Sequence, residues 1–188
     1  MLFIISGPSG VGKGTLIQDL LALNAALCWA VSATTRSPRP GEIDGKDYYF
    51  LTEESFDQHI SNHNFLEWCE VHGNRYGTLK SEILSKQSKF KGVIVEIDVQ
   101  GAQKIRQHLD YQQYHIFIAP PSEAILEERL RARNTENSET IDHRLKESKK
   151  ELASKQNYDK IIVNNKLTQS LDELNNVILS LLTKESFK

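Results

Sequence analysis

Short apolar runs alternate with amphipathic stretches along most of the chain. The run LFII, at positions 2–5, leads into a glycine-rich turn and is predicted to form a strand. After the turn, apolar residues recur at helical spacing, at Leu16, Ile17, Leu20, Leu21 and Leu23. Three later runs, at 93–97, 115–119 and 160–164, are rich in β-branched residues, as buried parallel strands usually are.

Helical patterns lie between and after these strands, at 101–109, 122–133, 138–155 and 170–183. The second of them follows Pro120 and Pro121, and Ser122 is its predicted N-cap. Strands that alternate with helices favour a doubly wound α/β fold, in which a parallel sheet is flanked by helices.

The pattern changes between Thr34 and Tyr76, where turn-forming residues and short aromatic alternations predominate. This stretch contains too many aromatic residues for a flexible linker. We therefore predict a single domain over 1–188, with a core from 1–32 and 79–188 and an inserted, partly β subdomain at 33–78.

Composition and charge narrow the range of functions. A formal net charge of −2 argues against a protein that holds nucleic acid by an excess of Lys and Arg. Cys28 and Cys69 lack the spacing of a zinc site or a disulfide framework, so a reducing, cytoplasmic setting is expected. The first apolar run reaches Gly7 too early for a signal peptide or membrane span, and no membrane partner is expected.

The segment GPSGVGKG, at positions 7–14, is typical of a phosphate-binding loop (P-loop). Its glycines let successive backbone N–H groups turn inward, and the start of the following helix adds the positive end of its dipole. Lys13 supplies a charge for the β- and γ-phosphates, although a glycine-rich turn with a solvated lysine is the alternative. The predicted ATP-binding residues here are Gly7, Pro8, Ser9, Gly10, Val11, Gly12, Lys13, Gly14 and Thr15.

Gly14 occupies the position where most such loops have a Ser or Thr hydroxyl that binds magnesium. Thr15 follows at once, and Mg²⁺ keeps several waters and takes much of its coordination from phosphate oxygens. We therefore expect ATP to bind with Mg²⁺, while the protein ligands of the metal stay unknown. The form GKGT resembles the loop of nucleoside monophosphate kinases, adenylate kinase among them.

Two arginines flank a rigid turn in the inserted segment. Arg36 and Arg39 lie on either side of Pro38, and Tyr48 follows a short turn later. Each guanidinium can donate two charge-assisted hydrogen bonds to a dianionic phosphate, and a phenol can donate another. By composition alone, two exposed and solvated arginines are the simpler interpretation.

These segments, together with FLEWCEVHGNRYGT at 65–78 and VEIDVQGAQKI at 95–105, resemble guanylate kinases. The resemblance continues through RARNTENSETIDHRL to IIVNNKL and so covers nearly the whole chain. It implies a P-loop kinase fold in which the subdomain at 33–78 binds GMP and a small helical lid lies at about 130–140. It also implies transfer of the ATP γ-phosphoryl group to GMP or dGMP, giving ADP and GDP, in purine nucleotide metabolism and GMP recycling.

The resemblance assigns roles to individual residues. The phosphate of GMP would be held by Arg36, Arg39, Tyr48 and Tyr76. The guanine would be recognised by Ser32, Glu67, Thr78 and Glu96, with Asp98 beside them. The catalytic set would be Lys13, Arg36, Arg129, Arg133 and Arg144.

Guanine presents two donors, N1–H and N2–H₂, next to the O6 acceptor, so an ionised carboxylate and a hydroxyl suit that edge. Adenine reverses this pattern and would leave a buried carboxylate unpaired. Glu96 replaces the Asp that is commoner in the family, and strand alternation would place Glu96 and Asp98 on one face. Glu67 could instead be a surface carboxylate at a helix end, and Glu96 and Asp98 could cap the end of a strand.

The basic helix end before residue 134 passes into a polar stretch and resumes as a helix at Ser138, which is typical of a mobile flap. Asn134 stands where the family often has Gly, and Asn tolerates a left-handed backbone. A basic, solvated helix face is the alternative interpretation of this stretch.

Asn164 follows a predicted strand where the adenine of ATP could be recognised. His59 and His63 lack a third ligand nearby, so no metal site is predicted there.

Two other functions stay open at this point. One is a kinase for a different nucleoside monophosphate, and the other is a protein-interaction scaffold of guanylate kinase fold that has lost catalysis. Lys13 and the pair of Arg36 and Arg39 argue against the scaffold, as does the expected absence of an attached domain. The oligomeric state is undetermined.

Overall fold

The computed structural model describes residues 1–71, 73–108, 110–132 and 138–185. The strands are β1 (Leu2–Ser6), β2 (Leu27–Trp29), β3 (Ala33–Thr34), β4 (Tyr49–Phe50), β5 (Phe65–Val71), β6 (Asn74–Leu79), β7 (Gly92–Glu96), β8 (Gln113–Ala119) and β9 (Lys160–Val163). The α-helices are α1 (Lys13–Leu23), α2 (Glu53–Ser61), α3 (Lys80–Gln87), α4 (Val99–Ile105), α5 (Glu123–Ala132), α6 (Ser138–Ala153) and α7 (Leu167–Glu185). A 3₁₀ turn, Ser154–Asn157, separates α6 from β9.

The main sheet is parallel, with the strand order β2-β7-β1-β8-β9. The strand β1 lies in the middle, where Ile4 pairs with Val95 of β7 and with His115 of β8. Every residue of β1 is buried, as its uninterrupted apolar run predicts.

Helices cover both faces of this sheet. Phe3 and Ile5 belong to a core with residues of α1, α5 and α7, whereas Leu2 and Ile4 belong to a second core with residues of α3 and α4. The alternation of β1 side chains between the two faces produces this division. The predicted α/β fold, with a parallel sheet flanked by helices, is therefore confirmed.

A second sheet, with the order β4-β3-β6-β5, is built from the turn-rich part of the chain. Its strands β5 and β6 are antiparallel, and β3 pairs with both β4 and β6. The helix α2 packs Phe56 into a separate small core with Ala33, Phe65 and Leu79. The boundaries 33–78 for a GMP-binding subdomain stay a prediction.

The apolar pattern did not predict α2 or α3, because both helices are short and bury few side chains. A local signal for α2 exists. Thr52 is its N-cap, and the Thr52 hydroxyl accepts a hydrogen bond from the Ser55 N–H at 3.1 Å. Glu53 and Glu54 lie in the first turn, where acidic residues interact favourably with the helix dipole.

The end of β7 differs from the sequence-based expectation. The strand stops at Glu96, and Asp98 is the N-cap of α4, with Asp98 Oδ1 accepting a hydrogen bond from the Gly101 N–H at 2.7 Å. Glu96 and Asp98 therefore do not share a strand face, because the chain turns from strand to helix between them. The predicted helix start at Ser138 agrees with α6, but residues 133–137 of the predicted lid lie outside the described residues.

Gly7 is required where the P-loop leaves β1. Its φ is +150°, and a Cβ built on Gly7 would lie 2.2 Å from the backbone oxygen of Ile118. That oxygen belongs to β8, so it cannot move aside without disturbing the sheet. The close approach of the loop to β8 therefore excludes every other residue at this position.

We expect Gly7→Ala to lower the free energy of unfolding by roughly 2 kcal/mol or more, because the new methyl group overlaps backbone atoms. Gly14→Ala is the matched control, since the nearest atom to a Cβ at Gly14 belongs to Trp29, 3.9 Å away. Urea titration of both variants would measure the difference. Equal stabilities would show that the loop can shift away from β8 at little cost.

Candidate functional site

One cavity of about 950 Å³ joins the P-loop to the second sheet. It lies at the carboxyl ends of the parallel strands, where open α/β sheets bind ligands. Predicted site residues from both regions line it, among them Gly7, Ser9, Lys13, Ser32, Tyr48, Glu67, Tyr76, Glu96, Asp98 and Arg144. The fold therefore brings together residues that the sequence separates by more than a hundred positions.

The P-loop connects β1 to α1 and curls around the Lys13 side chain. The ammonium of Lys13 donates hydrogen bonds to the carbonyl oxygens of Gly7 at 2.5 Å and Pro8 at 3.2 Å. The loop closes on itself through the Val11 N–H, which donates to the Pro8 carbonyl at 3.3 Å. A cation is thus fixed at the loop, where it can attract phosphate.

Residues from distant parts of the chain support the loop. Asn164, just after β9, donates from Nδ2 to the Val11 carbonyl at 2.8 Å and is buried. The Arg129 guanidinium donates to the Asn164 carbonyl at 3.0 Å and to the Val11 carbonyl at 3.5 Å. The Asn164 amide N–H is thereby used on the loop, and its contact with adenine stays a prediction.

Two of the three predicted lid arginines lie within the described residues. Arg129 contacts the loop from α5, and Arg144 of α6 donates to the Ser9 hydroxyl at 3.5 Å. Both cations therefore contact the P-loop and do not belong to a solvated helix face. Arg133 lies outside the described residues.

Glu67 and Thr78 form a buried pair on the neighbouring strands β5 and β6. The Thr78 hydroxyl donates to Glu67 Oε1 at 2.8 Å, and only 5% of Glu67 is exposed. Glu67 Oε2 is buried and has no hydrogen-bond partner among the described residues. Burial raises the pKa of Glu67 to about 7, while the hydrogen bond from Thr78 lowers it. This oxygen is an acceptor that a ligand in the cavity can satisfy.

Glu96 and Asp98 line the same cavity as Glu67 and Lys13. Burial raises the pKa of Glu96, and the charge of Lys13 lowers it, so Glu96 lies within electrostatic reach of the loop. Asp98 Oδ1 accepts from the α4 backbone and from the Cys69 thiol at 3.4 Å. Asp98 therefore has a structural partner on each side, and its contact with a ligand stays a prediction.

The predicted phosphate-holding residues cluster in the inserted segment. The Arg36 guanidinium lies over the rings of Tyr48 at 5.3 Å and Phe50 at 5.8 Å. Tyr48 and Tyr76 are in edge contact, with their ring centroids 6.0 Å apart. Burial raises the pKa of Tyr48 to about 12, so its phenol stays protonated and can donate. Arg39 is exposed beside this cluster.

The sequence interpretation missed Glu42. Its Oε1 forms an ion pair with Arg36 Nη2 at 2.9 Å, and its Oε2 accepts from the Arg39 N–H at 2.7 Å. Arg36 lowers the pKa of Glu42, so this carboxylate stays ionised and orients the guanidinium. An acidic residue three positions after Arg39 in the same turn was the available signal.

Glu151 of α6 was also missed, because a helical pattern gives no reason to single it out. It lines the same cavity, and burial raises its pKa to about 7. The charge of Lys13 and a hydrogen bond from the Ser9 backbone lower that pKa. Glu151 is therefore a further carboxylate of the cavity that interacts with the P-loop.

The described residues contain no cluster of His, Cys, Asp and Glu that could hold a metal ion. The Nδ1 of His59 lies 3.1 Å from the Asn64 amide nitrogen. Among the described helices, none has the length and apolar character needed to cross a membrane.

Comparison with known proteins places this geometry in one family. The family model described as guanylate kinase matches residues 1–181. The chain is 44% identical to the guanylate kinase of Prochlorococcus marinus over 179 residues, covering 95% of this chain and 97% of the relative. It is 42% identical to the guanylate kinase of Carboxydothermus hydrogenoformans over 188 residues, covering 100% of this chain and 90% of the relative.

A solved structure agrees with these matches. The crystal structure of guanylate kinase from Anaplasma phagocytophilum superposes with a TM-score of 0.77 at 32% identity, covering 97% of this chain and 86% of that one. Family model, relatives and structure agree over nearly the whole length, and the chain belongs to the guanylate kinase family.

Proposed function

We propose that this cavity catalyses transfer of the γ-phosphoryl group of ATP to GMP or dGMP, giving ADP and GDP or dGDP. The observation that carries the proposal is the free, buried Oε2 of Glu67, in the same cavity as the P-loop. A buried acceptor without a partner is costly, and a purine with two adjacent donors would satisfy it. Such a reaction serves purine nucleotide metabolism and the recycling of GMP.

The Glu67–Thr78 pair suits guanine rather than adenine. Ionised Glu67 accepts from guanine N1–H and N2–H₂, whereas adenine presents the unprotonated N1 acceptor at this edge. The Thr78 proton is engaged with Glu67, so the Ser32 hydroxyl is better placed to donate to O6. Glu96 and Asp98 complete the polar lining of this end of the cavity.

The GMP phosphate would bind at Arg36, Arg39, Tyr48 and Tyr76. Glu42 orients Arg36 by the ion pair, and Tyr48 keeps the proton that it donates. Two guanidinium groups and two phenols match a dianion with three oxygens. No general base is required, because the attacking group is an ionised phosphate oxygen.

The transferring group would lie between the two phosphate sites. The GMP phosphate oxygen forms a bond to the γ-phosphorus while the bond to the β,γ-bridging oxygen breaks, and ADP leaves with that oxygen. Lys13, Arg129, Arg133 and Arg144 would neutralise the charge on the equatorial and leaving oxygens. The contacts of Arg129 and Arg144 with the loop support their part in this set.

Magnesium fits the loop without a built-in cluster of ligands. The Thr15 side chain is exposed beside Lys13, and the space next to Gly14 is open. Phosphate oxygens and water would supply most of the coordination, with the Thr15 hydroxyl nearby. Bound Mg²⁺ would neutralise charge on the β- and γ-phosphates.

We further propose a cytoplasmic location, which the free thiols of Cys28 and Cys69 support.

The proposed reaction is tested by coupled ADP production with ATP and Mg²⁺, with GMP, dGMP, AMP, UMP and dTMP as acceptors. We expect turnover only with GMP and dGMP, since none of the other bases presents two adjacent donors to Glu67. Lys13→Ala should lower kcat by at least about 100-fold, because a cation at the transferring phosphate is lost. Arg39→Ala should raise KM for GMP and leave KM for ATP unchanged. Turnover with AMP equal to that with GMP would contradict the assignment of Glu67.

The pKa of Glu67 predicts a pH dependence for base binding. With a pKa of about 7, Glu67 is mostly protonated at pH 6 and mostly ionised at pH 8. Only the ionised form accepts both guanine donors, so guanosine should bind about tenfold more tightly at pH 8 than at pH 6. Calorimetry with guanosine avoids the titration of the GMP phosphate.

Glu67→Gln is the matched control for this experiment. It keeps the size of the side chain but cannot ionise, so guanosine should bind it weakly and equally at both pH values. A pH dependence that persists in Glu67→Gln would assign the titration to a different group.

Gly14→Ser tests how the loop meets magnesium. A serine at this position has room for its side chain and restores the hydroxyl found in most P-loops. We expect the Mg²⁺ concentration for half-maximal activity to fall by roughly two- to fivefold relative to Gly14→Ala. Identical magnesium curves for the two variants would show that the metal is out of reach of position 14.

A further inference from the structure

The second sheet is attached to the core by two chain crossings. The chain leaves the core at residues 30–32 and returns at residues 79–80. Ala30 is still bonded to the core, because its N–H donates to the Ile94 carbonyl at 2.8 Å. After the return, α3 begins at Lys80. A hydrogen bond that links these two crossings therefore restrains the position of the second sheet relative to the core.

Glu82, in the first turn of α3, makes that contact. Its Oε1 accepts from the Val31 N–H at 2.9 Å, and its Oε2 accepts from the Tyr49 hydroxyl at 3.1 Å. Only 8% of Glu82 is exposed, and Lys86 forms an ion pair with Oε1 at 3.4 Å. One buried carboxylate therefore joins a core helix, the outgoing crossing and β4 of the second sheet.

These hydrogen bonds determine where Ser32 lies. Its preceding residue, Val31, is held by Glu82, and its own carbonyl accepts from the Tyr49 N–H at 2.9 Å. Tyr49 is in turn held by Glu82 through its hydroxyl. Ser32 is thus fixed from both sides by residues that bond to the same carboxylate.

The partner groups of Ser32 are fixed from the return crossing. Thr78 is the second-last residue of β6, and it bonds to Glu67 at 2.8 Å. The next helix carries Glu82 four positions after Thr78. Ala33 pairs with Gly77 across β3 and β6, so Ser32 and Thr78 are already neighbours in the second sheet. The Glu82 bridge adds a second restraint, which holds the backbone on either side of Ser32 to α3.

We propose that Glu82 is a positioning residue that holds Ser32 in place beside the Glu67–Thr78 pair and so increases the affinity for the guanine base. This inference rests on the proposed function, because the guanine contacts belong to it. Glu82 itself touches the backbone and Tyr49, not the substrate. A merely structural bridge would change stability or the affinity for both nucleotides.

Three variants separate these roles. Glu82→Ala removes the bridge. Tyr49→Phe removes only the hydroxyl that joins β4 to Glu82 and keeps the ring, which packs in the small core of the second sheet. Lys86→Ala removes only the ion pair within α3 and leaves both hydrogen bonds from Glu82 to Val31 and Tyr49 in place.

We expect Glu82→Ala to raise KM for GMP by about tenfold and Tyr49→Phe by about threefold, with KM for ATP unchanged in both. Lys86→Ala should leave both constants unchanged. Calorimetry with guanosine should show the same weakening in the first two variants. If Glu82→Ala does not fold, Tyr49→Phe decides the question alone.

Other results would overturn the inference. If Tyr49→Phe leaves KM for GMP and guanosine binding unchanged, Glu82 does not position the guanine site. If the variants raise KM for GMP and ATP equally, the bridge supports the whole cleft and not Ser32. Absence of turnover by the wild type would refute the proposed reaction, whereas guanosine binding by wild type and Tyr49→Phe would still test the positioning role.

Discussion

The parallel alignment of the main sheet is the constraint on which the site depends. Because the strands run in one direction, their carboxyl ends meet at one edge, and the segments that follow four of the five strands lie at the cavity or on the P-loop that borders it. From β1 the chain enters the P-loop, from β2 it reaches Ser32, from β7 it reaches Glu96 and Asp98, and from β9 it reaches Asn164. Short segments next to a rigid sheet can hold polar groups accurately.

The second constraint on the site is the cost of removing ionisable carboxyl groups from water. Glu67, Glu96 and Glu151 all have raised pKa values because they are buried. Lys13 lowers the pKa of two of them, Glu96 and Glu151, and thereby partly offsets the burial. Glu67 instead depends on Thr78, with one oxygen left free. The unpaired hydrogen-bond acceptor of Glu67 therefore lies at the end of the cavity that is proposed to bind the base, whereas the cations lie at the P-loop.

Much of this arrangement could be predicted from the sequence because its signals are local. A run such as LFIIS and a loop with regularly spaced glycines each carry their own physical requirement. The bridge made by Glu82 was not predictable, since Val31 and Tyr49 come together around this carboxylate only after the chain has folded. The ion pair of Glu42 with Arg36 is local, but the apolar pattern gave no reason to single out Glu42. The position of Asp98 was also predicted wrongly. The alternating pattern continues through Asp98 in the sequence, but the strand ends at Glu96 and the Asp98 carboxylate caps α4. Asn164 supports the loop from 153 residues away, a distance that no local pattern spans.

The central place of β1 has a consequence for how the chain is made. β1 is synthesised long before its neighbours in the sheet, β7 and β8, so the backbone of Ile5 has no partner strand until Glu96 has been made. Until about half of the chain has left the ribosome, an apolar segment with free backbone groups is exposed, and contacts of such long sequence separation form slowly. A nascent chain of this protein is therefore expected to rely on chaperones, or on rapid burial of α1 against β1, to avoid aggregation during synthesis.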